Sequence, residues 1–198
     1  TIRMLATDGR LRELPDGAGF EPVGEVGELA VPDSLHALIA ARLDALESAD
    51  RTLVQDAAVL GQSFAPAGLA AVSGIELGTL LGRLRELVKA DLLTEERDDR
   101  SPERGQFAFV QALIREVAYS TLSLKDRRSR HLAAARFFES LGDDELAGAL
   151  AAHYLAAFKS TTDPVEATPL GTQARLALRG AADRAEALGS IGQAIEFL

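Results

Sequence analysis

Residues 77–95 read Leu77-Gly78-Thr79-Leu80-Leu81-Gly82-Arg83-Leu84-Arg85-Glu86-Leu87-Val88-Lys89-Ala90-Asp91-Leu92-Leu93-Thr94-Glu95. Its first part repeats apolar side chains at 77, 80, 81, 84, 87 and 88. That spacing lays a single stripe along a helix. The other face carries Arg83, Arg85, Glu86 and Lys89. At Leu92 the pattern changes. Leu92-Leu93-Thr94-Glu95 suits a short strand, and Gln106-Phe107-Ala108-Phe109-Val110 suits a second with alternating faces. Between them lies a charged, breaker-rich tip from Arg97 to Gly105. The chain therefore reads as mainly α with one small two-stranded β-hairpin.

Working back from this stretch, Pro66 opens a short helix that ends near Ser73-Gly74. Before it, Ser48 is a candidate cap for a helix whose Leu53, Val54, Ala57 and Ala58 face inward until Gly61. Earlier still, Pro32 opens a helix with Leu35, Leu38, Ile39, Leu43 and Leu46 as its apolar stripe. Three helices followed by a hairpin is the order of a winged helix, here expected over residues 31–122 with the hairpin as its wing. Residues 1–7 read as the last turns of a helix. Asp8 to Ala30 is Gly-rich and reads as a linker or small hairpin. Gly17-Ala18-Gly19 lacks the third glycine and preceding strand of a dinucleotide fingerprint.

Beyond the hairpin, Leu113, Ile114, Val117 and Ala118 mark another helix. A further one is expected from about Lys125 to Leu141, burying Ala134, Phe137, Phe138 and Leu141. The next runs from about Asp143 to Phe158, with Leu146, Leu150, His153, Tyr154 and Ala157 inward. Lys159 to Gly171 carries Pro164 and Pro169 and reads as a loop. An alanine-rich helix and an unfinished one follow. Their junction, Leu188-Gly189 and then Ala194-Ile195 and Phe197, is like that of a tetratricopeptide repeat, so residues 123–198 read as a helical arm with the start of such repeats.

The composition narrows the chemistry. Among 198 residues there is no cysteine, which excludes disulfides and thiolate catalysis. No stretch approaches the length of a membrane span, and the opening Thr1-Ile2-Arg3-Met4-Leu5 lacks the apolar core of a secretion signal. With no initiator methionine, the first residue reads as a point inside a longer, cytoplasmic protein. The net charge of −9 opposes unspecific binding to phosphate backbones. The hairpin tip is acidic as well: Glu95, Glu96, Asp98, Asp99 and Glu103 outnumber Arg97, Arg100 and Arg104. A wing that docks on DNA should be basic, so a DNA-binding winged helix is the lesser reading. Histidines 36, 131 and 153 show no metal-ligand spacing, so none is expected as a ligand, and His153 reads as a packed helix-interface residue. No nucleophile elbow surrounds the serines. Asp143-Asp144-Glu145 sits where a helix begins, and the helix dipole accounts for it. Lys125, Arg127, Arg128, Arg130 and Arg136 oppose only Asp126, a basic run that is either a solvated face or an inter-domain surface.

Several segments, in order, resemble one family. Val31-Pro32-Asp33-Ser34-Leu35-His36-Ala37-Leu38-Ile39-Ala40-Ala41-Arg42-Leu43-Asp44 is similar to the entry into the winged-helix region of bacterial STAND-type signalling ATPases. Gln55-Asp56-Ala57-Ala58-Val59-Leu60-Gly61-Gln62-Ser63-Phe64 resembles the first winged-helix segment of that family. Phe107-Ala108-Phe109-Val110-Gln111-Ala112-Leu113-Ile114-Arg115-Glu116-Val117-Ala118-Tyr119 resembles its most specific signature. His131-Leu132-Ala133-Ala134-Ala135 and Ala151-Ala152-His153-Tyr154-Leu155 are similar to the helices that follow. The likeness is greatest to ATPase modules attached to class III nucleotide cyclases, and then to those of LuxR-type activators.

The resemblance implies an upstream P-loop domain that binds ATP or ADP with magnesium, and downstream repeats that sense a ligand or a protein. Residues 1–30 would then be the end of the ATPase lid helix and a linker. The P-loop pattern of glycine followed by Lys-Ser or Lys-Thr is missing from this sequence, so catalysis is expected in the parent protein and not here. The family carries a histidine at the strand-to-helix junction after the wing, within reach of the ADP diphosphate. The matching position is Gln111, which can donate a neutral hydrogen bond but cannot become cationic. Capping of the following helix is the plainer role for it. Gln111 and Arg115 are thus the expected nucleotide-sensing residues, and Arg127, Arg128 and Arg130 the expected inter-domain face. The partners implied are the P-loop domain and repeats of the same chain, with no membrane and no nucleic acid. A free-standing repeat adaptor is the third reading.

Overall fold

The computed structural model describes residues 11–13, 20–22, 33–98, 101 and 104–198. The expected helix over residues 1–7 and the Gly17-Ala18-Gly19 motif lie outside them. Among the described residues the chain is mainly helical, and it carries a small three-stranded antiparallel sheet. It divides into two units, Thr1–His36 and Ala37–Leu198. In the first, β1 (Leu11–Glu13) pairs antiparallel with β2 (Phe20–Pro22), Arg12 opposite Glu21. Among the described residues no single helix is long and apolar enough to cross a membrane.

The larger unit begins within α1 (Asp33–Asp44), followed by α2 (Ser48–Leu60), β3 (Ser63–Phe64), α3 (Pro66–Ser73) and α4 (Leu77–Lys89). The α1 stripe is narrower than its leucines suggest. Ile39 and Leu43 are buried, whereas Leu35 and Leu38 are exposed. Two inward positions four apart touch the core along a single line, and Leu38 lies off it. Glu47, not Ser48, stands at the N-cap of α2, and no side chain caps it. Helix α3 ends at Gly74 in the left-handed region (φ 72°), which glycine enters without steric cost. Glu76 then caps α4 by accepting from the amides of Gly78 (2.9 Å) and Thr79 (3.0 Å).

After α4, Asp91 takes a positive φ of 53° and turns the chain, and the Leu92 amide donates to the Leu87 carbonyl. This swings Leu92 and Leu93 into the interior at the head of β4 (Leu93–Glu95), which pairs with β5 (Phe107–Phe109). The expected hairpin gains a third strand. β3 pairs with the other edge of β5, Ser63 opposite Ala108 and Phe64 opposite Phe107, in the order β3-β5-β4. The Phe109 amide donates to the Gln62 carbonyl (2.9 Å) and the Gln62 side-chain amide to the Phe109 carbonyl (2.7 Å). A two-residue strand has no alternation to read. Under the sheet lie Leu53, Val54, Ala58, Leu69, Leu80, Leu84 and Leu87 with Phe64, Phe107 and Phe109, joined by Ile114 and Val117 of α5 (Ala112–Ser120).

The arm comprises α6 (Leu124–Leu141), a short 3-10 turn (Asp144–Leu146), α7 (Ala147–Lys159), α8 (Pro164–Ala187) and α9 (Ile191–Phe197). Ser123 caps α6 and Gly142 (φ 61°) ends it. The inward face of α6 is His131, Ala134 and Ala135; Phe137 and Phe138 are half-buried, and Leu141 is half exposed on the last turn. The loop expected over 159–171 is instead largely helix. Pro164 occupies the first position of α8, where a missing N–H costs nothing, and Asp163 caps it through the Val165 amide (2.8 Å). Pro169 lies inside α8. The carbonyl it cannot serve belongs to Val165, which is 81% exposed, where water can take over that bond. A second, smaller core joins Ala135, Tyr154 and Ala174 with Leu132, Leu150 and Ala177.

Candidate functional site

The junction between β5 and α5 is built outward from the larger core, which holds Phe109 and Ile114. Phe109 is anchored in the sheet, and the Val110 amide donates to the Leu92 carbonyl (3.2 Å). Val110 is 48% exposed, and Gln111 follows at the N-cap of α5 with extended backbone (φ −138°, ψ 137°). Its side chain makes no capping bond and is exposed, so the plain capping role is not the one the carboxamide plays. One turn on, Arg115 is half-buried and its Nε donates to the Ala58 carbonyl of α2 (3.1 Å). Gln111 and Arg115 therefore share one side of α5 but differ in kind. The first is a neutral donor open to solvent, and the second is a strut that ties α5 to α2.

The three arginines of the basic run do not form one open surface. Arg127 lies with its guanidinium carbon 4.5 Å from the centre of the Tyr119 ring, and its Nη2 donates to the Tyr119 and Ser120 carbonyls (3.2 Å each). Arg128 pairs with Glu166 of α8. Arg130 pairs with Asp56 of α2 (2.5 Å) and with Asp126 (3.3 Å). Each cation is thus directed at a different helix, and α6 is held to α5, α8 and α2 in turn. Asp56 is only 5% exposed. Burial pushes its carboxyl above the usual range, while the Arg130 bond and charge pull the other way. Basic residues of α4 are also engaged: Arg83 with Asp50 (3.4 Å) and Lys89 with Glu86 (2.8 Å).

Two histidines that look unrelated in the sequence meet in the structure. His131 Nδ1 and His153 Nδ1 are 2.9 Å apart, and His131 Nε2 is 2.9 Å from the Tyr119 Oη. Phe138 stacks on His153 (centroids 5.3 Å, interplanar 16°). Burial holds both imidazoles well below their ordinary value, His131 at about 3 and His153 at about 4. For His131 the facing imidazole and the charges of Arg115 and Arg127 add to the effect. Both rings are neutral at ordinary pH. Among the described residues no group of three or more His, Asp or Glu side chains could hold a metal ion. Between α7 and α8 runs an open cleft of about 570 Å³, lined by Leu150, Leu176 and Ala177 with Glu139, Tyr154 and Arg184. Tyr154 Oη donates to Glu139 there (3.1 Å).

Comparison of the chain with family models, curated proteins and solved structures finds no match.

Proposed function

We propose that this chain is the non-catalytic relay segment of a multidomain signal-transduction ATPase of the STAND type. In this reading α2, α3 and α4 with the three-stranded sheet are its winged helix, and α6 to α9 are the arm that begins tetratricopeptide-like repeats. The observation that carries the reading is the order α2-β3-α3-α4-β4-β5 within a single antiparallel sheet, with an exposed amide donor, Gln111, directly after the last strand. Of the segments quoted above that resemble the family, 55–64 falls on α2 and β3, 107–119 on β5 and α5, and 131–135 and 151–155 on α6 and α7. An upstream P-loop domain, binding ATP or ADP with magnesium in the cytoplasm, would hold the nucleotide. Gln111 would then face the nucleotide while Arg115 keeps α5 fixed to α2.

Such a segment acts by rigid-body rotation between two packed arrangements, not by chemistry. Arg115 ties α5 to α2 and Arg130 ties α6 to α2, so in this reading the three helices move together and a change at Gln111 would reach the arm. DNA binding is disfavoured, because Arg83 and Lys89 of α4 are paired within the chain and the wing is acidic. The test is Gln111→Ala in the full-length protein. The lost neutral hydrogen bond should raise the dissociation constant for ADP by roughly fivefold, with a parallel change in basal output. Unchanged nucleotide affinity and output would remove Gln111 from the mechanism.

A further inference from the structure

We propose that the His131–His153 pair is a proton-operated latch that fastens α7 to α6 and α5 when both imidazoles are neutral and releases α7 when both are charged. The chain of contacts runs Tyr119 Oη, His131 Nε2, His131 Nδ1, His153 Nδ1, crossing from α5 to α6 to α7. A neutral imidazole has one donor and one acceptor nitrogen. The facing Nδ1 atoms can share a single proton, so one ring donates and the other accepts. When Tyr119 donates to His131 Nε2, His131 carries its proton on Nδ1 and gives it to His153. In the reverse tautomer His131 donates to Tyr119 and accepts from His153. Either arrangement is complete with two neutral rings. Two imidazolium rings place N–H against N–H at 2.9 Å, and the pair must separate.

The surroundings reinforce this. From α5 come Arg115 and Tyr119, and from α6 Arg127, whose guanidinium is held over Tyr119. Helix α3 packs on α6 through Gly68 against Phe137 and contributes no titratable side chain. Asp56 on α2 is taken by Arg130, Glu139 by Tyr154 and Glu166 of α8 by Arg128, so these carboxylates have other partners. A buried histidine pair with a nearby carboxylate would be a site for a shared charge. Here the fixed charges acting on His131 are cationic, and added protons meet repulsion.

The sign follows from the depressed values. Between roughly pH 4 and the ordinary histidine value of 6.5, the released state binds protons that the latched state refuses. The latch is fully engaged above about pH 6.5 and is lost progressively as the pH falls from there toward the depressed His153 value of about 4. At about pH 5 each imidazole shifts the opening equilibrium by about 30-fold. Asp56 works in the opposite direction, since its raised carboxyl takes up a proton earlier in the folded chain.

Hydrogen exchange on the whole chain, corrected for the intrinsic rate, tests this between about pH 7.5 and about pH 5. The α7 amides should lose protection at the lower pH while those of Leu80, Leu84 and Leu87 keep theirs. His153→Phe, which preserves a stacked ring against Phe138, should abolish the pH dependence in α7. Protection in α7 that stays flat, protection lost equally in both cores, or the same acid loss in His153→Phe would each overturn the latch. If that variant fails to fold, the imidazole titrations of the wild-type chain decide. Protonation of both rings together with the loss of α7 protection supports the latch, and ordinary titration with α7 still protected refutes it.

Discussion

Replacing Arg130 by alanine lowers the stability of the chain by about 3–5 kcal/mol, because it strands the Asp56 carboxylate in the interior. Asp56 is 5% exposed, and among the described residues its side chain pairs with Arg130 (2.5 Å). The guanidinium is itself largely covered, so the pair is a true buried one and not a surface contact of the kind that contributes little. Chemical denaturation at neutral pH measures the loss. Two controls separate the charge from the lost side chain. Adding Asp56→Asn to the variant should recover part of the stability, and lowering the pH into the carboxyl range should shrink the penalty. The direction follows from the raised Asp56 value: the folded variant tolerates a neutral carboxyl far better than a charged one. A variant within about 1 kcal/mol of wild type would mean that the Arg130–Asp56 pair contributes no more than a surface ion pair does.

Phe107→Ala is the other large loss expected, about 3–5 kcal/mol. Phe107 is 1% exposed, in the middle strand of the sheet, with its ring stacked 6.4 Å from that of Phe64. Removing it opens a cavity between the sheet and Leu80, Leu84 and Leu87, and loosens β3, which is held by only two paired residues. The effect should appear as a lower denaturation midpoint with an unchanged slope, since the same surface is exposed on unfolding. Phe109→Ala, whose ring is 6.1 Å from that of Phe64, should be similar in kind. A small effect at both positions would show that the third strand contributes little to the core.

Some of this fold was readable from the residues alone. The leucine spacing over 77–88 marks α4, and the switch to Leu92-Leu93 marks the strand that follows it. Other features leave weaker traces. β3 is two residues long and fixed by its pairing with β5 and by the bonds between Gln62, just before it, and Phe109, so no local pattern announces it. Pro164 and Pro169 signal a break, yet the first fits the opening of a helix and the second falls beside an exposed carbonyl. The histidine pair had a signal that spacing rules for metal ligands do not test. His131 and His153 stand eleven residues before and eleven after Gly142, the glycine that ends α6. Two antiparallel helices hinged there bring equidistant inward positions face to face. The basic run misleads in the other direction. A local excess of arginine reads as a surface, but Arg127, Arg128 and Arg130 each reach a partner outside the run, and only the tertiary arrangement reveals which.

The most direct test of the proposed relay is hydrogen exchange across Val110–Arg115 in the full-length protein, compared with ADP bound and with a non-hydrolysable ATP analogue bound. The relay reading requires the amides at this junction to differ in protection between the two nucleotide states, with α6 following. Identical exchange in both states, or a full-length protein that binds neither nucleotide, contradicts it.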